Sequence, residues 1–262
     1  MNGLIYYFST TDNTKLACEY LVKKINGIEF TLSDITKKEN LDLRNFDLIG
    51  FATWADYLGP SQLFYDFISN LTKQDNKPSF IFCTAGGLPG RTLLTMQRLV
   101  SEKGFLVLTG FQLMTPDNYP PIIISGRIHP DYPKEEELKN FNQFIMELNE
   151  VIKEIKNKII KPRQIKIGFL NRLVPSIFSR KKSKKNMGML FVDKEKCTKC
   201  GICAKVCPYS AIKMDEYPLF NDQKCYACWS CYNHCPPLAI YTNKIKEGGQ
   251  YKMPEEYKRK LT

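Results

Sequence analysis

Eight of the ten cysteines in this chain lie between Cys197 and Cys235. They form two matching runs, Cys197-x-x-Cys200-x-x-Cys203-x-x-x-Cys207-Pro208 and Cys225-x-x-Cys228-x-x-Cys231-x-x-x-Cys235-Pro236. The spacing suits an iron–sulfur cubane, because three thiolates with two residues between neighbours wrap a tight loop around one face of such a cluster. Zinc is one alternative, but zinc sites usually pair two Cys-x-x-Cys hooks across a longer gap and bring in His. Disulfides are another, but they belong to secreted chains, and no signal peptide is visible ahead of these runs.

The doubled run resembles the bacterial two-cluster ferredoxins. In that family the fourth cysteine of each run, carried away by its Pro, ligates the other cluster. The resemblance therefore implies two [4Fe-4S] clusters. One is held by Cys197, Cys200, Cys203 and Cys235, the other by Cys225, Cys228, Cys231 and Cys207. The runs repeat after 28 residues, from Cys197 to Cys225, and strands are expected at 189–192, 211–214 and 239–241. Trp229 and Ser230 stand where the first repeat has Gly201 and Ile202, so the second cluster is expected to have a different environment. His234 reads as a solvated or loop-bonded residue and His129 as a surface-loop residue.

The rest of the chain has to position and supply these centres. A length of 262 residues suggests one or two domains, and 43% hydrophobic content supports a real core. The apolar runs are short, such as Ile122-Ile123-Ile124, so no transmembrane segment is expected. The start, Met1-Asn2-Gly3-Leu4-Ile5, lacks a charged leader and reads as a strand, which points to the cytoplasm. Cys18 and Cys83 stand alone, as suits a reducing compartment. Cubane clusters add the expectation of a low-oxygen cell.

The net charge of +11 sits in one segment. From Lys156 to Lys185 there are eleven Lys or Arg and no acid, and setting them aside from the 38 leaves 27 basic residues against 27 acidic ones. Apolar residues interleave the charges: Ile165, Ile167, Phe169, Leu170, Leu173, Val174, Ile177 and Phe178, with Pro162 and Pro175 breaking any long helix. The segment reads as a connector docking on both neighbours. It also offers a basic patch for an acidic redox partner, a ferredoxin or an oxidoreductase, or for an anionic membrane surface. No recognition motif accompanies the charge, so nucleic acid is not expected.

Residues 1–160 alternate strand and helix patterns. Strands are expected at 4–8, 28–32, 47–52, 79–83 and 105–108, and helices near 14–24, 63–71 and 93–100. A last helix from Pro133 to Ile160 carries Leu138, Phe141, Ile145, Leu148, Ile152, Ile155 and Ile159 on one stripe. Continuous apolar strands between helices mean an α/β protein with a parallel sheet covered on both faces. The count suggests a flavodoxin-like, doubly wound, five-stranded sheet of order 2-1-3-4-5, followed by a small α+β ferredoxin domain. Ligands of such sheets sit at the carboxyl ends of the strands, at the switch between strands one and three.

The turn after strand one is Ser9-Thr10-Thr11-Asp12-Asn13-Thr14. It resembles the flavodoxin turn Thr/Ser-x-Thr-Gly-x-Thr, which cradles the FMN phosphate with hydroxyls and N–H groups at a helix start. Ser9, Thr11, Asn13 and Thr14 match. Asp12 and Thr10 depart from it, each replacing a Gly. An Asp12 carboxylate is unfavourable beside a phosphate and has the alternative of capping the helix. After strand three, Thr53-Trp54-Ala55-Asp56-Tyr57 supplies Trp54 and Tyr57 as candidates to stack on an isoalloxazine ring. After strand four, Thr84-Ala85-Gly86-Gly87 allows close backbone approach to a flat ligand. The segment 114–121 is expected to cap the same sheet edge.

Nearly the whole chain resembles iron–sulfur flavoproteins in which a flavodoxin domain is fused to a two-cluster ferredoxin. The expected division is 1–160 flavodoxin-like, 161–187 connector, 188–245 ferredoxin and 246–262 polar tail. The resemblance implies an electron-transfer protein carrying FMN and two [4Fe-4S] clusters. Two alternatives stay open: a flavin-dependent reductase of a small substrate fed by the ferredoxin part, and an FMN-free redox scaffold or sensor. No Gly-x-Gly-x-x-Gly follows a strand, so nicotinamide binding has no support, and no acid–base group stands out.

Overall fold

A computed structural model describes residues 1–168, Asn171 and 180–262. Of the connector, Phe169, Leu170, Arg172, Leu173, Val174, Pro175, Ile177 and Phe178 lie outside the described residues. The chain forms two compact units, one of Met1–Pro116, Pro130–Ser176 and Pro254–Thr262, the other of Asp117–His129 and Ile177–Met253.

The first unit is built on five long strands: β1 (Asn2–Tyr7), β2 (Glu29–Asp34), β3 (Leu48–Asp56), β5 (Lys77–Ala85) and β6 (Phe105–Met114). All pair in parallel, in the order β2-β1-β3-β5-β6. That is the expected flavodoxin-like order, second-first-third-fourth-fifth among the long strands. A two-residue strand, β4 (Gly59–Pro60), folds back on the end of β3. Helices α1 (Asn13–Lys24), α2 (Gln62–Asn70) and α3 (Thr92–Glu102) follow β1, β4 and β5.

Side chains alternate across the sheet. Leu4, Tyr6, Phe8, Ile49, Phe51 and Ile81 share one buried cluster with Phe64 and Ile68 of α2 and with Leu93, Met96 and Val100 of α3. Phe82 stacks on Phe141 at 5.4 Å, and Phe111 on Phe144 at 5.1 Å. Phe141 and Phe144 belong to helix α5 (Glu135–Lys156), which follows the short α4 (Pro120–Ile124). Helix α5 opens with Glu135, Glu136 and Glu137 at its positive end, and the Lys134 N–H donates to Glu137 Oε2 at 2.7 Å. It stops at Lys156, earlier than its apolar stripe suggests, and Ile159 and Ile160 are exposed.

Three strands run past their expected ends: β3 to Asp56, β5 to Ala85 and β6 to Met114. Thr53 and Trp54 pair with Cys83 and Thr84, so the ladder itself carries polar residues that composition assigns to loops. Residues 246–262 are not a polar tail. Helix Glu255–Leu261 buries Tyr257 and Leu261, four residues apart on one face, and has acids in its first turn and bases in its last.

The second unit holds two small antiparallel pairs, Leu190–Val192 with Ile240–Thr242 and Ile212–Met214 with Pro218–Phe220. Short helices Ile202–Lys205 and Ser230–Asn233 lie 28 residues apart, as the repeat requires. The basic segment ends in helix Arg180–Met187, and Met187 is buried in this unit's core beside Cys203, Trp229 and Tyr232. Ile165 is buried in the other core. The segment 114–121, expected at the sheet edge, is divided: from Asp117 on it belongs, with the rest of Asp117–His129, to the second unit, where Asn233 Nδ2 donates to the Asn118 carbonyl at 3.3 Å.

Candidate functional site

The eight repeat cysteines line two separate pockets. Cys197, Cys200, Cys203 and Cys235 frame a pocket open to solvent, among Val192, Ile202, Met214 and Ile240. Cys207, Cys225, Cys228 and Cys231 frame another, among Met187, Ile212, Phe220 and Trp229. Each pocket therefore takes three thiols from one run and the Pro-linked fourth from the other. An apolar chamber offering four thiols fits a cubane cluster, whose ligands are thiolates and whose surroundings are largely hydrophobic.

The backbone repeats with the cysteines. Left-handed conformations occur at Lys199 and Ala227, at Gly201 and Trp229, and at Ser210 and Leu238, each pair 28 residues apart. They turn the chain so that successive cysteines face one cavity. Only Gly takes this conformation freely; for other residues it costs roughly 1–2 kcal/mol each. The Ala211 N–H points at Cys207 Sγ at 3.3 Å, and the Ala239 N–H, its repeat mate, at Cys235 Sγ at 3.2 Å. The Ala227 N–H reaches Cys225 Sγ at 3.4 Å. These donors stabilise negative charge on sulfur.

Burial works against the thiolates. It pushes Cys231 well above the usual thiol range, and neighbouring cysteines add to the shift. Cys203 and Cys225 are raised for the same reason, opposed by the backbone N–H groups of Ala204 and Ala227. Bound iron would supply the positive charge such a set of thiolates needs. Lys184 acts in the same sense near Cys225, while its ammonium also bonds Asp222. The pockets differ in cover. Cys200 in the first is exposed, whereas the second is flanked by Tyr209 and Tyr226, stacked at 4.5 Å.

In the first unit, β1, β3 and β5 are adjacent and parallel, so 9–14, 53–57 and 84–87 gather at one end of the sheet. Asp12 sits at φ 63° and ψ 0°, is exposed, and makes no side-chain cap. The left-handed backbone explains why Gly suits this position. The capping role open to Asp12 is thus not taken up.

Several candidate side chains serve the scaffold. Thr14 Oγ1 and Thr84 Oγ1 share a buried hydrogen bond of 2.8 Å. Asn13 Nδ2 donates to the Pro116 carbonyl at 2.9 Å, and Tyr257 Oη donates to the Asn13 carbonyl at 2.8 Å. Thr53 is fully buried, with its hydroxyl 3.3 Å from that of Ser61, the cap of α2. Trp54 is half-buried and lies 4.3 Å from the ring of Phe8. Tyr57 and Leu58 hold φ 49° and 68° in the two-residue turn joining β3 to β4. Ala85 is buried as the last residue of β5, while Gly86 and Gly87 lie beyond it and reach the surface.

Ser9, Thr10 and Thr11 complete the turn before α1. No Lys or Arg occurs in 9–14, 53–60 or 84–90. An anion there would be held by neutral N–H and O–H donors and the positive end of α1. The sequence missed Tyr257. No local motif marks it, since it acts on Asn13 from the far end of the chain.

A family model described as a 4Fe-4S binding domain matches residues 190–213. No curated protein matches the chain. Among solved structures, the chain is similar to a flavodoxin from the domain Archaea, at 14% identity and TM-score 0.44 over 58% of this chain and 99% of that one. It is similar to oxidised flavodoxin 2 from Bacillus cereus, at 13% identity and TM-score 0.40 over 61% and 100%. A flavoprotein in complex with FMN from Lactobacillus acidophilus shows 16% identity and TM-score 0.35 over 42% and 92%. Overlap this slight says nothing about what the chain binds, and the fold rests on its own strand order.

Proposed function

We propose that the chain is a cytoplasmic electron-transfer protein that binds FMN at the carboxyl ends of β1, β3 and β5 and two [4Fe-4S] clusters in its two thiol pockets. The observation that carries this reading is the crossed division of the eight cysteines between the pockets. When bound, FMN exchanges two electrons and each cluster one, so the pair of cofactors joins two-electron chemistry to a one-electron chain.

The chain's own residues hold and tune these groups. Ser9–Thr14 wrap the phosphate with N–H and hydroxyl donors at the start of α1. Trp54 and Tyr57 offer ring surface, and Gly86 and Gly87 let the backbone come close. Ala211 and Ala239 fix the two Pro-linked cysteines through their N–H groups. The basic stretch 156–185 suits a redox partner, a ferredoxin or an oxidoreductase, with an acidic face.

Anaerobic purification followed by iron and flavin analysis tests the proposal. It calls for about eight iron and one FMN per chain, with the flavin absorbance bleached by reduced ferredoxin. A full iron load without flavin, in a preparation supplied with FMN, overturns the flavin half. About four iron overturns the second cluster.

A further inference from the structure

The two repeats differ at a position where their backbones agree. Gly201 and Trp229 stand 28 residues apart, at φ 73° and 61°. Glycine takes that conformation freely and tryptophan does not. Trp229 is nevertheless only 4% exposed. Its ring meets Tyr232 edge-on at 5.2 Å and Tyr119 at 6.0 Å. It lines the pocket of Cys207, Cys225, Cys228 and Cys231.

The indole N–H is buried and has no hydrogen-bond partner among the described residues. A buried donor left unpaired is costly, and in native proteins it usually marks a partner that belongs there. Cluster sulfurs are such acceptors, and this pocket is where the two-cluster reading puts them. At the matching place in the first pocket, Gly201 has no side chain to donate.

We propose that Trp229 Nε1–H donates a hydrogen bond to a sulfur of the cluster held by Cys207, Cys225, Cys228 and Cys231, and so raises the reduction potential of that cluster alone. The inference rests on the two-cluster reading above. A donor to sulfur favours the reduced cluster, which carries one more negative charge, and hydrogen bonds to sulfur are among the levers that set cluster potential. The two halves of a near-symmetric module thereby become unequal, and the residue that separates them is one the cysteine motif leaves free.

The test uses the full chain with its clusters. Redox titration followed by electron paramagnetic resonance compares wild type with Trp229→Phe, which keeps the ring and removes the N–H. One couple should fall and the other stay, with about a tenfold loss of reduced cluster at fixed potential, or ~59 mV for one electron. Two unshifted couples with about eight iron bound overturn the donor role and leave the two-cluster reading standing. About four iron in wild type overturns the reading itself.

If the variant loses iron, a second measurement decides. The chain has two tryptophans, so Trp54→Phe labelled with indole-15N tryptophan leaves Trp229 as the only source of signal. A 15N coupling to a reduced cluster supports the bond. Its absence means that the N–H does not meet the cluster, and the proposal fails.

Discussion

The hydrogen bond between Thr14 and Thr84 ties the start of α1 to the end of β5, the two segments that would hold opposite parts of a flavin. The oxygens are 2.8 Å apart, and the residues are 2% and 1% exposed. Valine at either position keeps the shape and strands the other hydroxyl in a dry site. Each single change should cost about 1–3 kcal/mol, the desolvation penalty of an orphaned polar group. For a unit of this size that is a fall in Tm of roughly 2–12 °C by circular dichroism. The double variant strands nothing, so it should lose clearly less than the two singles together. A double-mutant cycle measures the difference, expected at about 1–2 kcal/mol. FMN affinity should drop by a similar factor in both singles, under about tenfold, because the bond acts on the loops rather than on the ligand. Additive losses would refute the pairing. An FMN loss confined to Thr14→Val would show that its hydroxyl serves the phosphate directly.

Three further changes probe the same unit. Asp12→Gly removes an exposed carboxylate from a left-handed position and should raise FMN affinity in a fluorescence titration; an unchanged affinity means the side chain has no influence on the phosphate. Gly90→Ala should destabilise by about 2–4 kcal/mol in chemical unfolding, since its φ is +56° and a Cβ would lie 2.5 Å from that of Leu58. The Asp42 carboxyl, hydrogen-bonded by Arg44, is held down to about 2. Its ordinary value is about 3.9, so the favourable contact is complete above that pH and is lost as pH falls through 2. An NMR titration should show this midpoint in the wild type and a higher one in Arg44→Ala.

The parallel sheet was legible because its strands are continuous apolar runs, each followed by a turn and an amphipathic helix. Strand ends were harder to read. Thr53, Trp54 and Thr84 look like loop residues, yet the ladder carries them because their neighbours in register satisfy the backbone. The C-terminal helix was missed because charge dominates its composition, and only the spacing of Tyr257 and Leu261 betrays a buried face. That Asp117–His129 joins the second unit could not be read at all, since the contacts that decide it lie more than a hundred residues away. That three thiols of each run turn to one pocket was legible from their spacing, whereas the place of the fourth came from the resemblance to two-cluster ferredoxins.

The candidate sites handle charge in opposite ways. The strand-end loops carry no cation, so an anion there depends on N–H dipoles, hydroxyls and one helix end, all fixed by the sheet. Such donors need no mobile side chain, which is why Thr14, Asn13 and Thr53 can be spent on holding the loops together. The thiol pockets are served by the four-residue helices Ile202–Lys205 and Ser230–Asn233. Their negative charge is met by single N–H groups from Ala211, Ala227 and Ala239 and by Lys184 close to Cys225. Of the basic segment, Lys184 acts on Cys225, whereas Arg163 pairs with Glu147 and Glu154 of α5. A donor such as Trp229 Nε1–H has most effect in a thiol pocket, where few others exist and burial keeps water from taking its place.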